Sequence, residues 1–202
     1  MANGLKSAKR FPGIRNNLEA SCGAKNVTLI LEDTGHEEML SRLSAATIAP
    51  AAEYLALARH TLKRLLEAPA LLDRICIERK PGAYTRNLIY GDDRITVYAI
   101  VWAAGSQTSI HDHHCSCCFG VLSGAIRETW YETVDANHAV PTKNFVRETG
   151  HIAGMLPSGP NLHKMTNDAA DEAISIHIYG YASETRPSSI DCEYLLSDQR
   201  NA

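Results

Sequence analysis

A chain of 202 residues with 45% hydrophobic and 21% charged residues is long enough for a domain with a substantial core. Its formal net charge of −3 carries no block of like charge, which argues against a nucleic-acid partner or an anionic membrane surface. No apolar run reaches the roughly 18 residues a membrane helix needs, and the basic N-terminus lacks the apolar region of a secretory signal, so a cytoplasmic protein is expected.

Residues 1–35 are an expected lead-in, partly irregular, with a short strand over VTLIL at 27–31. Helices are expected over 37–46 and 50–67. In the second, Leu55, Leu57, Ala58, Leu62, Leu65 and Leu66 recur at near-helical spacing, opposite Arg59, Lys63, Arg64 and Glu67. Pro50 suits its start and Pro69 its stop. ALLDRIC at 70–76 fits a further short helix.

From residue 83 the texture changes. YTRNLIYGDD, RITVYAIVW, the histidine-bearing stretch after it, AIRETWYE, NFVRE, HIAGML and AISIHIYGYA are short β-branched and aromatic runs broken by turn residues. They predict a mainly β, jelly-roll architecture. The expected organisation is a single domain over 36–202, with helices over 36–76 ahead of a β-barrel over 83–181. The tail, SETRPSSIDCEYLLSDQRNA, is expected to wrap the outside.

In GSQTSIHDHHCSCCFGVLSG (105–124), His111 and His113 stand two apart on an expected strand, so both imidazoles share a face. Gly105 and Gly124 frame the stretch. In GHIAGMLPSGPNLHKMTN (150–167), a turn signal precedes His163, a third imidazole able to complete a facial set. Neutral imidazole suits zinc, copper, iron and nickel. After His113 no carboxylate occupies the place of a fourth ligand, which falls to Cys117 or Cys118. In AISIHIYG, Ser175, His177 and Tyr179 share one strand face and Ile174, Ile176 and Ile178 the other, so burial of the isoleucines would line up a polar chain. Arg86 could fork onto a carboxylate, although an exposed surface arginine would look the same. The crowding of Cys115, Cys117 and Cys118 suits a metal or reactive-thiol loop better than a disulfide framework. A structural zinc cluster of His111, His113, Cys115 and Cys117 is the rival reading, weakened by its tight C-x-C spacing. The plainer reading of His114 and Cys115 is a loop at the rim of the cavity, and Trp102, Phe119 and Trp130 read as core.

Together, YTRNL, HDH, LHKMTN and SIHIYG resemble the cysteine dioxygenase family of cupin thiol dioxygenases, in its arginine-type form, over roughly residues 50–181. The resemblance implies a single-domain cupin, a jelly-roll β-barrel with N-terminal helices, that holds one Fe(2+) through His111, His113 and His163. It implies that Arg86 binds a substrate carboxylate, that Tyr84 lines the same pocket, and that Ser175, His177 and Tyr179 form the outer-sphere chain beside the metal. It implies a small-molecule thiol and dioxygen as partners and a sulfinate product, most readily L-cysteine to cysteine sulfinate. 3-Mercaptopropionate and mercaptosuccinate are alternatives, the latter because Arg186 could meet a second carboxylate. In some members a cysteine cross-links to the tyrosine. Counting from HDH points to Cys118, while counting back from Gly124 and strand parity point to Cys117. A non-catalytic cupin sensor is the alternative of another class. A monomer or small homo-oligomer is expected.

Overall fold

The computed structural model describes residues 35–68 and 77–197. The strand expected over 27–31, the helix over 70–76 and the stop at Pro69 lie outside these residues. Helix α1 (His36–Ala45) runs through a 3₁₀ turn (Ala46–Ile48) into α2 (Ala51–Leu66), which Pro50 precedes with an extended ψ. Proline there loses nothing, because the first helical turn leaves its N–H groups unpaired anyway. The buried stripe of α2 is Tyr54, Ala58, Thr61, Leu62 and Leu65, at helical spacing.

The strands are β1 (Tyr84–Gly91), β2 (Thr96–Trp102), β3 (Ile110–His113), β4 (Cys117–Ser123), β5 (Ala125–Thr133), β6 (His138–Glu148), β7 (Ile152–Met155), β8 (His163–Thr166), β9 (Ala173–Tyr179) and β10 (Ile190–Leu196). One sheet has the order β1-β2-β9-β4-β7, and the other, β10-β3-β8-β5-β6, closes on itself. This is the mainly β jelly roll of the cupin type, preceded by helices. The helices cover the outer face of the first sheet, where Leu40, Leu43, Leu62 and Leu65 meet Val97, Ala99, Ile176 and Ile178. Each such leucine, isoleucine or valine taken fully out of water contributes about 1.5–3 kcal/mol. The close approach depends on Gly120, since a Cβ there would stand 2.8 Å from Leu66 Cδ1. Gly124 turns the chain from β4 to β5 at φ 75°, a conformation that other residues resist.

The tail departs from expectation. Instead of wrapping the outside, it contributes β10, which pairs antiparallel with β3 and parallel with β6 and so closes the second sheet. Asp112 anchors it: its carboxylate accepts the Cys192 N–H (2.8 Å) and the Tyr194 hydroxyl (3.1 Å). The edge of β3 thus finds its backbone partners in a segment whose side chains are mostly exposed. No described helix is long and apolar enough to cross a membrane.

Candidate metal centre and its cavity

Sheet register explains why three histidines meet. His111 and His113 point the same way from β3, and His163, the first residue of β8, lies directly opposite His111. All three are buried, and their available ring nitrogens lie within 4.8 Å of one another. Zinc–imidazole bonds, for example, are about 2.0–2.1 Å long, so two such ligands at right angles stand ~3 Å apart. His113 Nε2 and His163 Nε2 are 3.1 Å apart.

The far side of each ring decides whether the set fits a metal. His111 Nδ1–H donates to the Ser109 carbonyl (3.0 Å) and His163 Nδ1–H to Glu128 Oε1 (2.9 Å). His113 Nδ1 lies 3.2 Å from the Ser189 hydroxyl. A neutral imidazole that donates from Nδ1 keeps the Nε2 lone pair bare, the form that ligates. Burial, with the neighbouring histidine adding to it, holds His111 down to about 3 and His113 to about 2. The residues therefore fit a divalent cation bound through three imidazole nitrogens. The same convergence leaves out the thiols. Among the described residues no group of potential ligands joins Cys115 or Cys117 to the histidines, so the rival four-ligand zinc cluster does not form.

Tyr84, Arg86, Trp102, Cys117, His177 and Tyr179 line the cavity beside the histidines. Arg86 lies within β1, two residues from Tyr84 and on the same face. Its guanidinium carbon is 5.5 Å from the centroid of the Tyr98 ring, and Tyr84 packs on Trp102 with centroids 5.1 Å apart. Arg186 is exposed. Cys117 and Cys118 point to opposite faces of β4: Cys117 into the cavity, Cys118 into the core beneath the helices. Cys115 is buried beside Cys117, Tyr179 and Tyr181 rather than standing at the rim. His114 Nε2 lies 3.0 Å from the Ser188 carbonyl.

On β9 the polar chain runs unbroken and extends one residue further than expected. Trp102 Nε1–H donates to Ser175 Oγ (2.8 Å), Ser175 Oγ lies 2.8 Å from His177 Nε2, and His177 Nδ1 lies 3.1 Å from the Tyr179 hydroxyl. An indole N–H can only donate. With the Ser175 hydroxyl donating to His177 Nε2, the His177 Nδ1–H donates to the Tyr179 oxygen. That leaves the phenolic proton of Tyr179 to point elsewhere, into the cavity. Burial, reinforced by Cys117 nearby, pushes the Tyr179 pKa well above its ordinary value, so the phenol stays protonated. Phe119 stacks on the His177 ring at 5.3 Å and excludes water from it.

The residues that reading the sequence missed are Glu128, Arg147, Ser109 and Ser189, which hold the histidines from behind, and Tyr98 beneath Arg86. Ile126, Glu128 and Trp130 share one parity of β5, so a carboxylate between two apolar residues on the inward face was the available signal for Glu128.

The sequence model for "Cysteine dioxygenase type I" matches residues 75–185. Cysteine dioxygenase type 1 of Homo sapiens is 32% identical over 107 residues, 50% of this chain and 53% of the human protein. That of Rattus norvegicus is 30% identical over 107 residues, 50% of this chain and 53% of the rat protein. The chain thus spans about half the length of the curated relatives it matches. Among solved structures, similarity extends to a protein of Thermus thermophilus (14% identity, TM-score 0.44, 55% of this chain and 93% of the other). It extends also to a double-stranded β-helix protein of Klebsiella pneumoniae (16%, TM-score 0.43, 52% and 79%).

Proposed function

Because the chain belongs to the cysteine dioxygenase type I family, we propose that it is an iron-dependent thiol dioxygenase acting on a small carboxylate-bearing thiol, with L-cysteine the favoured substrate. The observation that carries this reading is the convergence of His111, His113 and His163 in one cavity with a cation, Arg86, and a protonated phenol, Tyr179. The reaction adds both atoms of dioxygen to the thiol sulfur, R–SH + O₂ → R–SO₂H, so the sulfur gives up the four electrons that dioxygen takes.

His111, His113 and His163 would hold Fe(2+), which when bound supplies the redox chemistry and open positions for small ligands. Arg86 offers two parallel N–H donors to the substrate carboxylate, which fixes the thiol end toward the histidines. Tyr84, on the same strand face, walls the carboxylate site. Tyr179 directs its hydroxyl proton into the cavity, where it can donate to negative charge developing on sulfur or oxygen. Ser175 and His177 keep that hydroxyl oriented. Ile100, Trp102 and Met165 make the rest of the wall apolar and limit water.

The test is to measure the metal content of the purified protein, reload it with ferrous iron, and record dioxygen consumption with cysteine, 3-mercaptopropionate and mercaptosuccinate. Stoichiometric iron and uptake fastest with cysteine are expected. Faster uptake with another thiol would reassign the substrate. Tight iron binding with no uptake from any thiol would make the protein a binding cupin instead.

A further inference from the structure

We propose that Glu128, clamped by Arg147, is a positioning residue that fixes His163 for metal binding and sets the affinity of the centre; this rests on reading His163 as a ligand. Glu128 is fully buried on the inward face of β5. Its two oxygens divide their partners. Oε1 accepts the His163 Nδ1–H at 2.9 Å, while Oε2 accepts from Arg147 Nε at 2.9 Å and Nη2 at 2.7 Å. Arg147 comes from β6, where it pairs with Ile126, and its guanidinium carbon lies 4.3 Å from the Phe145 ring centroid.

A buried carboxylate is costly unless its charge and lone pairs are satisfied. The His163 ring N–H and the Arg147 guanidinium supply those partners, one on each oxygen. If its only task were to join β5 to β6, an apolar pair of similar volume would serve as well. Its position behind one specific imidazole gives the charge a use. Among the described contacts behind the three histidines, Ser109 offers a carbonyl and Ser189 a hydroxyl, and Glu128 alone offers a full negative charge. An anion accepting from Nδ1 strengthens the Nε2 lone pair and locks the ring's orientation. Arg147 in turn locks the carboxylate, so the ring is braced through two strands from close to the surface.

The experiment uses the full chain, stripped of metal and titrated with Fe(2+) under anaerobic conditions and separately with Zn(2+), each against a competing chelator. E128Q keeps an acceptor for His163 but loses the charge, and metal affinity is expected to fall on the order of 10–100-fold. R147K keeps a positive charge but not the fork, and a smaller fall is expected. D168N, which weakens the exposed ion pair between Asp168 and Arg127 of β5, is expected to leave affinity unchanged. A folded E128Q protein with wild-type affinity would overturn the proposal and leave the pair as a hairpin brace. Should E128Q not fold, the double variant E128Q/R147M removes both charges. Weakened affinity there upholds the proposal and wild-type affinity overturns it. Absence of metal binding by the wild-type chain would instead remove the metal-centre reading itself.

Discussion

Cys117 and Tyr179 stand directly opposite each other in the register of β4 and β9, and both face the cavity. Cys118, one residue on, faces the opposite side of the sheet. Of the two adjacent cysteines, strand alternation thus puts Cys117 rather than Cys118 on the side of the Tyr179 ring. A thioether between them would form one C–S bond, break the S–H and a ring C–H, and pass two electrons and two protons to dioxygen. After incubation with iron, thiol and dioxygen, peptide mapping should find the joined 117 and 179 peptides two hydrogens lighter than their sum. C117A should abolish that species and C118A should not. A cross-link surviving in C117A would refute the assignment.

The direction of the polar chain makes Trp102 more than filler. Its indole N–H occupies one Ser175 lone pair, which favours the arrangement in which the serine hydroxyl donates to His177 and the Tyr179 proton is free for the cavity. Trp102→Phe keeps the ring stacking but removes the donor. A stability loss of about 1 kcal/mol is expected for the missing hydrogen bond, with roughly a tenfold fall in kcat, equivalent to about 1.4 kcal/mol in the barrier. Tyr179→Phe, which deletes the donor at the reacting atoms, should cost on the order of 10²–10³ in kcat. Both should retain iron, so metal analysis alongside kcat separates loss of the relay from loss of the centre.

Arg86 predicts a dependence on the substrate's carboxylate. Its face of β1 carries Tyr84 into the same cavity, and Tyr98 supports the guanidinium from below. Arg86→Ala should weaken carboxylate thiols by about 2–5 kcal/mol in kcat/KM, the range for losing one partner of a charged hydrogen-bonded pair. A thiol amine without the carboxylate should be turned over equally by both proteins. Equal losses for both thiols would assign Arg86 to the fold instead.

His177 predicts how stability responds to acid. Burial, aided by His163 and opposed by Glu128, lowers its pKa from 6.5 to about 3. Between those values the unfolded chain binds a proton that the folded chain refuses. The contribution is therefore intact above 6.5 and lost progressively as pH falls toward 3. One such group gives a slope of about 1.4 kcal/mol per pH unit. Denaturant unfolding of the metal-free protein between roughly pH 4.5 and 6 should show a slope shallower by about that amount in H177Q. Identical slopes would mean that His177 protonates inside the fold.

What could be read ahead of the structure follows the range over which each signal acts. His111 with His113, and the Ser175, His177 and Tyr179 face, obey strand alternation, a local rule that needs no knowledge of partners. The helical stripe of α2 was equally plain, although Tyr54 and Thr61 join it and neither looks apolar enough to be expected. Glu128 lay hidden in RETWYE, where charges on both parities resemble a solvated strand and mask its shared parity with Ile126 and Trp130; the pairing of β5 with β8 shows that its side faces inward. Ser189 serves His113 from 76 residues away, in a stretch without periodicity. Strand β10 escaped notice because alternation of apolar side chains marks a strand that buries one face, whereas this one is held by its backbone and by Asp112.

That last contact can be tested directly. Asp112 lies between two candidate ligands but faces away from them, and its two oxygens hold Cys192 N and Tyr194 Oη of β10. β10 continues from Ser189, whose hydroxyl meets His113 and whose carbonyl accepts the His114 N–H at 3.2 Å. Asp112→Ala removes both anchors at a half-exposed site, so a loss of about 1–3 kcal/mol is expected. Because β10 closes the sheet that carries the histidines, its loosening should reach the centre. Amide hydrogen exchange should quicken across residues 188–196 and in β3, while α1 and α2 keep wild-type protection. Iron should also dissociate faster, through loss of the Ser189 support behind His113. Faster exchange in β10 with unchanged iron release would show that the tail closes the barrel without bracing the metal ligands.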